Sequence, residues 1–380
     1  MSRPSLDIVI LGLSITSSWG NGHATTYRAL MSALSRRGHR VLFLERDVPW
    51  YADNRDLAVP PYGRTEIYSD MAELRDLYSD AVREADLVIV GSYVPEGVKV
   101  GQWVTRIARG VTAFYDIDTP VTLAKLARGE RDYLTPTLIP HYRLYLSFTG
   151  GPTLRTLEDR YGSPMARPLY CSVDPALYKP KDLKTAWDLG YMGTYSDDRQ
   201  PVLDRLMLTA ARSWRRGRFV VAGAQYPPRL RWPRNVDRIA HLPPADHAAF
   251  YNRQRFTLNV TRADMVKAGY SPSVRLFEAA ACGVPIISDA WPGLETFFEI
   301  GREILVADDA TRTLNYLRKM GDEERRTIGR RARRRVLREH TADNRAEQLE
   351  DYFLSVAGRR RGRSNLRSRP RTRRSLMTST

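Results

Sequence analysis

Residues 268–288 read AGYSPSVRLFEAAACGVPIIS, and the fold turns on how this stretch is interpreted. Ser271 is a type that caps helices and Pro272 a type that opens them, so local chemistry predicts a helix over Pro272–Cys282. A helix starting there leaves backbone N–H groups free at Ser273 and Val274. With the helix dipole they form an anion site suited to a pyrophosphate. Glu278 follows about one and a half turns further on, where one ionised carboxylate can accept from both hydroxyls of a ribose. Ala279, Ala280, Ala281 and Gly283 are small, which lets the helix lie close against a sheet, and Pro285–Ser288 reads as the next strand. The competing interpretation makes Glu278 an exposed helix residue and the serine a cap alone.

Working outward, short apolar runs alternate with amphipathic ones on both sides of this stretch, the pattern of βαβ units and parallel sheets. Upstream, strands are predicted at Asp7–Leu13, Arg40–Glu45, Asp86–Gly91, Val111–Asp116 and Leu144–Phe148. Helices are predicted at Ala24–Arg37, closed by Gly38, and around 71–84 and 97–109. Residues Cys171–Asp182, CSVDPALYKPKD, break the pattern and read as a linker. Beyond it the alternation restarts with Trp187–Gly193, Gln200–Arg212, Arg218–Ala222, Ala245–Asn252 and Phe256–Val260. A long helical stretch over Glu323–Val356 closes the folded part. The expectation is an α/β protein of two Rossmann-like, doubly wound parallel-sheet domains facing across a cleft. Residues 1–173 form the acceptor domain, 174–186 the linker and 187–340 the nucleotide-sugar domain. Residues 341–357 form a helix packing back on the first domain, and 358–380 a disordered tail. A length of 380 residues with 42% hydrophobic content suits two domains of ordinary size.

Cys171 and Cys282 form no CxxC pair or metal-ligand cluster, and no apolar run is long enough to cross a membrane. A cytoplasmic location is expected. The net charge of +17 raises the question of nucleic acid, but nine arginines and no acid lie between Arg359 and Arg374. That tail is read as disordered and offers peripheral contact with anionic surfaces. A second cluster, Arg330, Arg331, Arg333, Arg334 and Arg335, is read as a solvated helix face, so no specific nucleic-acid partner is expected.

RLFEAAACGVPIIS resembles the donor-site signature of group 1 glycosyltransferases. The wider pattern, including SDAWPGLETFF at 288–298 and LGYMGTYSDDR at 189–199, is similar to the spore-maturation-protein-like branch of that group. The resemblance covers about 188–357 and implies the two-domain glycosyltransferase B (GT-B) architecture, a nucleotide-sugar donor and no obligatory metal or other cofactor. Retaining members carry a glutamate eight residues before the second one; Tyr270 stands at that place here, so the resemblance leaves the stereochemical outcome open.

Around the predicted donor helix, Gly193 allows close backbone approach and Arg199 supplies a charge for phosphate, with Tyr195 between them. Asn259 and Arg262 end another strand facing the same cleft. A salt bridge from Arg262 to Asp264 or Glu278 is the plain alternative. Ser271, Ser273, Val274, Arg275 and Glu278 complete the expected donor set. In the first half, SSWGNGHATTYRAL places His23 after a Gly-rich loop at a helix start, similar to the first loop of several inverting glycosyltransferases. The positive helix end favours neutral imidazole, which suits a general base. Asp116 and Asp118, in FYDIDTP, emerge on the same sheet edge as its catalytic partners; packing and capping are the ordinary alternatives. Trp19, Asn21, Trp50 and Tyr51 are candidate acceptor contacts, the aromatic ones as sugar-stacking platforms. The function these expectations compose is metal-independent transfer of a sugar from a nucleotide-diphosphate sugar to an acceptor hydroxyl on a glycan, protein, lipid or small molecule. The alternatives are a nucleotide-sugar epimerase of the same fold and a non-catalytic basic binding or assembly protein.

Overall fold

The computed structural model describes residues 4–20 and 22–367, with side chains as far as Gly358. Asn21 and residues 368–380 of the arginine-rich tail lie outside the described residues.

The apolar runs become two parallel sheets, each covered by helices, which is why their strands carry apolar side chains on both faces. The first sheet is built from β1 (Asp7–Gly12), α1 (His23–Arg36), β2 (Arg40–Arg46), α2 (Pro49–Ala52), β3 (Arg64–Tyr68), α3 (Met71–Glu84), β4 (Leu87–Gly91), α4 (Gly97–Ile107), β5 (Val111–Asp116), α5 (Thr119–Ala127), β6 (Leu144–Ser147), α6 (Pro152–Asp159) and β7 (Ala166–Pro168). Its seven strands run in the order β3, β2, β1, β4, β5, β6, β7, all parallel. Gly38, at φ 88°, takes the chain out of α1 through the left-handed region.

After the crossing, the second sheet takes β8 (Trp187–Met192), α7 (Gln200–Leu203), α8 (Thr209–Ser213), β9 (Phe219–Ala222), β10 (Val236–Ile239), α9 (Pro244–Asn252), β11 (Gln254–Asn259), α10 (Ala263–Ala268), α11 (Val274–Ala281), β12 (Ile286–Ser288) and β13 (Leu305–Val306). A π turn at Asp204–Leu208 joins α7 to α8. The strand order is β10, β9, β8, β11, β12, β13, again parallel throughout. Then follow α12 (Ala310–Lys319), α13 (Asp322–Glu339) and α14 (Ala342–Arg367).

Three features depart from the sequence reading. The outer strands β3, β7, β10 and β13 are short, and β3 and β10 are largely exposed, so they carry no apolar run to announce them. The long C-terminal helical stretch is broken at His340–Thr341, where Thr341 bridges to Val173 in the crossing segment. Finally, α14 continues through Arg367, past the point where composition suggested disorder. Its first turns pack on α1, with Glu350 accepting from the Arg37 guanidinium at 2.5 and 2.8 Å and lying 2.8 Å from the His39 ring.

In each sheet the chain reverses direction beside the first strand, β1 or β8. The strand-end loops there part and leave an opening. The two openings face each other, and residues of both lobes line the space between them.

Candidate functional site

The helix expected to hold the donor starts later than its sequence suggests. Ser273, in extended conformation at φ −87° and ψ 150°, is the N-cap of α11, and Val274 is its first residue. Ser271 and Pro272 remain outside because tertiary partners claim them. The Ser271 hydroxyl accepts from Thr149 of the first lobe at 2.8 Å, and the Pro272 carbonyl accepts from the Cys171 thiol at 3.4 Å. Ser273 donates to Asn259 Oδ1 at 2.7 Å, and Asn259 in turn donates to Ser288 and Thr261 at 3.0 and 3.2 Å. Asn259 is therefore buried and holds the helix start in place; it does not face the cleft. Leu276 N–H turns back to the Ser273 carbonyl at 3.1 Å. The N–H groups of Val274 and Arg275 stand at the helix mouth, one residue on from the pair expected.

Glu278 is 2% exposed, which removes the reading of it as a surface helix residue. Its Oε2 accepts from Tyr251 at 3.1 Å. Burial and the Glu278 charge together push the phenol of Tyr178, in the crossing segment, far up. The carboxylate lines a space of about 230 Å³ together with Gly193, Gly223, His241, Val274 and Arg275. Gly193 is needed there: a Cβ would lie 2.5 Å from the Tyr191 hydroxyl and 3.2 Å from an Arg275 nitrogen. Gly223 is held as tightly, since its Cβ would come within 2.0 Å of the Gly193 carbonyl.

Three guanidinium groups converge beside the helix mouth on a second space of about 150 Å³, lined by Arg199, Arg262 and Arg275 with His23 and Asp118. Arg199 donates to the Thr194 carbonyl at 2.8 Å, and its Nε is buried with no hydrogen-bond partner among the described residues. Burial, then the charges of Arg275 and Arg262, pull its pKa below the ordinary arginine value. Arg275 lies over the Tyr191 ring at 5.5 Å. The partner of Arg262 is Asp198, at 3.9 Å, and neither Asp264 nor Glu278. Tyr195 turns away: its hydroxyl donates to Asp197 at 2.5 Å and its N–H to the Ala224 carbonyl at 2.9 Å.

Across the cleft, His23 is the first residue of α1, and its Nε2 lies 3.8 Å from Asp118 Oδ2 at the start of α5. Tyr93, in left-handed conformation at φ 66°, donates to the same oxygen at 3.1 Å. Burial resists ionisation of Asp118, but the nearby His23 imidazole, the charge of Arg262 and the hydrogen bond from Tyr93 outweigh it. They hold the carboxyl below the usual carboxylate range. Asp116 belongs elsewhere. It is fully buried, accepting from Tyr145 at 2.5 Å and Thr122 at 2.8 Å, and burial raises its carboxyl to about 6. The expectation that it shares the chemistry gives way to a role in fastening β5 to β6 and α5.

Residues 199–351 match the family described as Glycosyl transferase-like. No curated protein matches the chain in sequence. Among solved structures, sucrose-phosphate synthase from Thermosynechococcus elongatus is similar at TM-score 0.66 and 16% identity, over 93% of this chain and 99% of that one. HepE of Anabaena in complex with UDP and glucose gives 0.67 at 14% identity, over 92% and 100%. An alpha-glucosyltransferase in complex with UDP and a 13-mer DNA also gives 0.67, at 12% identity, over 92% and 100%. The chain has the GT-B fold.

Within this GT-B frame, the acceptor-side aromatic residues separate. Trp19 reaches across the cleft to His241 of the second lobe, ring centroids 4.6 Å apart. Trp50 is 57% exposed on α2, and neither it nor Tyr51 lines the two spaces at the helix mouth. Tyr270 has its ring wedged between Gly151 of the first lobe and Gly293 of the second, where added Cβ atoms would lie 2.3 and 2.6 Å away. Its carbonyl accepts from Gly150 at 2.9 Å, so it joins the lobes. Two groups escaped the sequence reading. Tyr93, after the strand VIVG, orients Asp118. Glu45, fully buried, shapes the loop after β1 by accepting from Ser14, Ile15 and Thr16 at 2.6 to 3.1 Å. A carboxylate ending the apolar run RVLFLE was the available signal for Glu45.

Proposed function

We propose that this GT-B protein moves a sugar from a nucleotide-diphosphate sugar to an acceptor hydroxyl without needing a bound metal. One observation carries the reading. The free N-terminus of α11 opens on the cleft, with Arg199 and Arg275 at its mouth and the buried carboxylate of Glu278 one turn inside. A diphosphate fits the first group and a ribose diol the second. The base then lies toward Gly223 and His241. HepE was solved with UDP-glucose, which makes that compound the first donor to try.

In the reaction the bond from the anomeric carbon to the diphosphate oxygen breaks as the acceptor oxygen bonds to that carbon. The acceptor proton passes to the His23–Asp118 pair. Charge developing on the leaving diphosphate meets the Val274 and Arg275 N–H groups and the guanidinium groups of Arg199 and Arg275, the task a metal performs elsewhere. The motifs at 189–199 and 268–298 support placement in the spore-maturation-protein-like branch. Among the described residues no helix is long and apolar enough to cross a membrane; a cytoplasmic location is part of the proposal.

Calorimetry with UDP-glucose and other nucleotide sugars tests the ribose role. Glu278→Ala should weaken binding about 100-fold, the loss of two hydrogen bonds to a buried charge. Glu278→Gln keeps an acceptor for Tyr251 and should fold normally while still losing affinity. Unchanged affinity in both variants removes the ribose role.

A further inference from the structure

Two contacts between the lobes differ in kind. Beside the space that holds His23 and Asp118, the seam is buried and hydrogen-bonded. Thr149 donates to Ser271 at 2.8 Å, Gly150 N–H donates to the Tyr270 carbonyl at 2.9 Å, and the Tyr270 ring fills the gap between Gly151 and Gly293. At the other end of the cleft the contact is aromatic and half open. The Trp19 and His241 rings meet with centroids 4.6 Å apart and planes inclined by 46°, and Trp19 keeps 38% of its surface exposed.

That second contact is prepared from both sides. Each residue from Ser14 to Trp19, in the loop after β1, is tied by a hydrogen bond. Ser14, Ile15 and Thr16 are held by Glu45, Ser17 donates to the Asn54 carbonyl at 2.7 Å, Ser18 N–H to Asp56 at 2.7 Å and Trp19 N–H to the Ser17 hydroxyl at 3.3 Å. Asp56 is in turn gripped by the Arg28 guanidinium at 2.8 and 2.9 Å. The stem that carries the indole is therefore rigid. Gly20 follows at φ 61°, and an added Cβ there would meet nothing within 4 Å, so the chain turns away and leaves the room beside Trp19 open. In the second lobe the Leu242 carbonyl, next to His241, lies 3.2 Å from His247 Nε2, and His247 Nδ1 lies 3.2 Å from the Tyr178 hydroxyl in the crossing segment. Ser18 and Gly20, on either side of Trp19, line the same space as His241, Gly223 and Glu278, while the indole itself stands outside that lining.

We propose that Trp19 is a positioning residue for the donor: it backs the His241 imidazole, so that this ring forms a wall on which the donor's nucleobase stacks. The inference rests on the donor site proposed above and adds to it a residue of the opposite lobe. An imidazole on an exposed loop is free to rotate, and one already packed on another ring has given up that freedom before the ligand arrives. Every nucleobase offers a π face to such a wall. Because the indole comes from the first lobe and the imidazole from the second, filling the base position also favours the approach of the lobes. An acceptor-side sugar platform would stand beside His23 and Asp118; Trp19 stands at the base end instead.

Calorimetry on the full chain with UDP, ADP, GDP and inorganic pyrophosphate tests this, with thermal melts to confirm that each variant folds. Trp19→Ala should weaken the nucleoside diphosphate that the parent prefers by about three- to tenfold, the worth of one aromatic pair, and leave pyrophosphate binding unchanged. Trp19→Phe keeps a ring and should recover most of the affinity. His241→Ala should weaken the same nucleotide, and the double variant W19A/H241A should lose no more than the larger single loss, because the two rings act as one unit. Nucleotide affinity unchanged in Trp19→Ala, equal weakening of pyrophosphate, a Phe variant no better than the Ala variant, or additive losses in the double variant overturns the proposal while leaving the donor site standing. A parent chain that binds none of the three nucleotides overturns the transferase reading itself, and this inference with it.

Discussion

The two lobes present their strand-end loops to one cleft but treat charge in opposite ways. In the first lobe ionisable groups satisfy one another: Asp118 sits between His23 and Tyr93, and Glu45 is saturated by the loop it shapes. In the second lobe Arg199 and Arg275 crowd a helix start, with Glu278 buried behind them, and among the described residues neither guanidinium makes an ion pair. A self-satisfied pair is suited to taking up and releasing a proton, since its geometry exists before substrate arrives. Uncompensated cations are suited to an anionic ligand, because each costs stability until a charge of opposite sign fills the space. Under the proposed function, the division of labour between base and donor site follows from where the opposite charges are left out.

The contrast can be broken most sharply on the first-lobe side. His23→Ala should lower the transfer rate by about 10²- to 10⁴-fold, the usual worth of a positioned general base, while donor affinity in calorimetry stays as it was. Transfer at the parental rate would clear His23 of the chemistry. On the second-lobe side, Arg275→Ala should weaken nucleotide diphosphate binding by about tenfold and leave nucleoside binding unchanged, since one charge-assisted contact is lost. Equal weakening of both ligands would place Arg275 on the base or ribose instead.

The smallest expected effect separates the two aspartates. Asp116 has its carboxyl raised by burial from 3.8 to about 6. A raised value means that its contribution to stability is fully present below the unfolded value and is lost as pH rises through the folded one. Over pH 4 to 6 that loss is on the order of 3 kcal/mol at most. Asp118 is depressed, so its contribution is present above the unfolded value and is lost as pH falls. Asp116→Asn should therefore flatten thermal stability between pH 4 and 6, measured by melting, and leave acceptor turnover nearly intact. A pH slope equal to the parent's would show that Asp116 ionises freely.

Much of this architecture was readable along the chain. The long buried strands β1, β4, β5, β8 and β11 declare themselves by apolar runs, and α1 and α3 by their periodicity, because these elements lie in the core and their local pattern agrees with their environment. The outer strands were not readable: β3 and β10 carry Arg, Asp and Glu where the pattern asks for apolar residues, and β7 and β13 are three and two residues long. Glu278, His23, Asp118 and Arg275 were singled out from residue type and spacing, and the structure brings them to one cleft. Asn259, Tyr195 and Asp116 were singled out on the same grounds and are occupied within the fold.

The local sequence by itself determined that a helix lies between Ser271 and Gly283 and carries Glu278, because Pro272, the small residues after Glu278 and Gly283 act over a few positions. Where that helix begins was a tertiary matter: Thr149 and Asn259, far off in sequence, take the hydroxyls of Ser271 and Ser273 and so choose between two serines of equal capping strength. Which carboxylates are free to act was settled in the same way. Asp116 and Asp118 are two residues apart at one strand end, and only the folded surroundings give one of them two hydroxyl donors within the fold and the other the imidazole of His23 at the cleft wall of the same lobe.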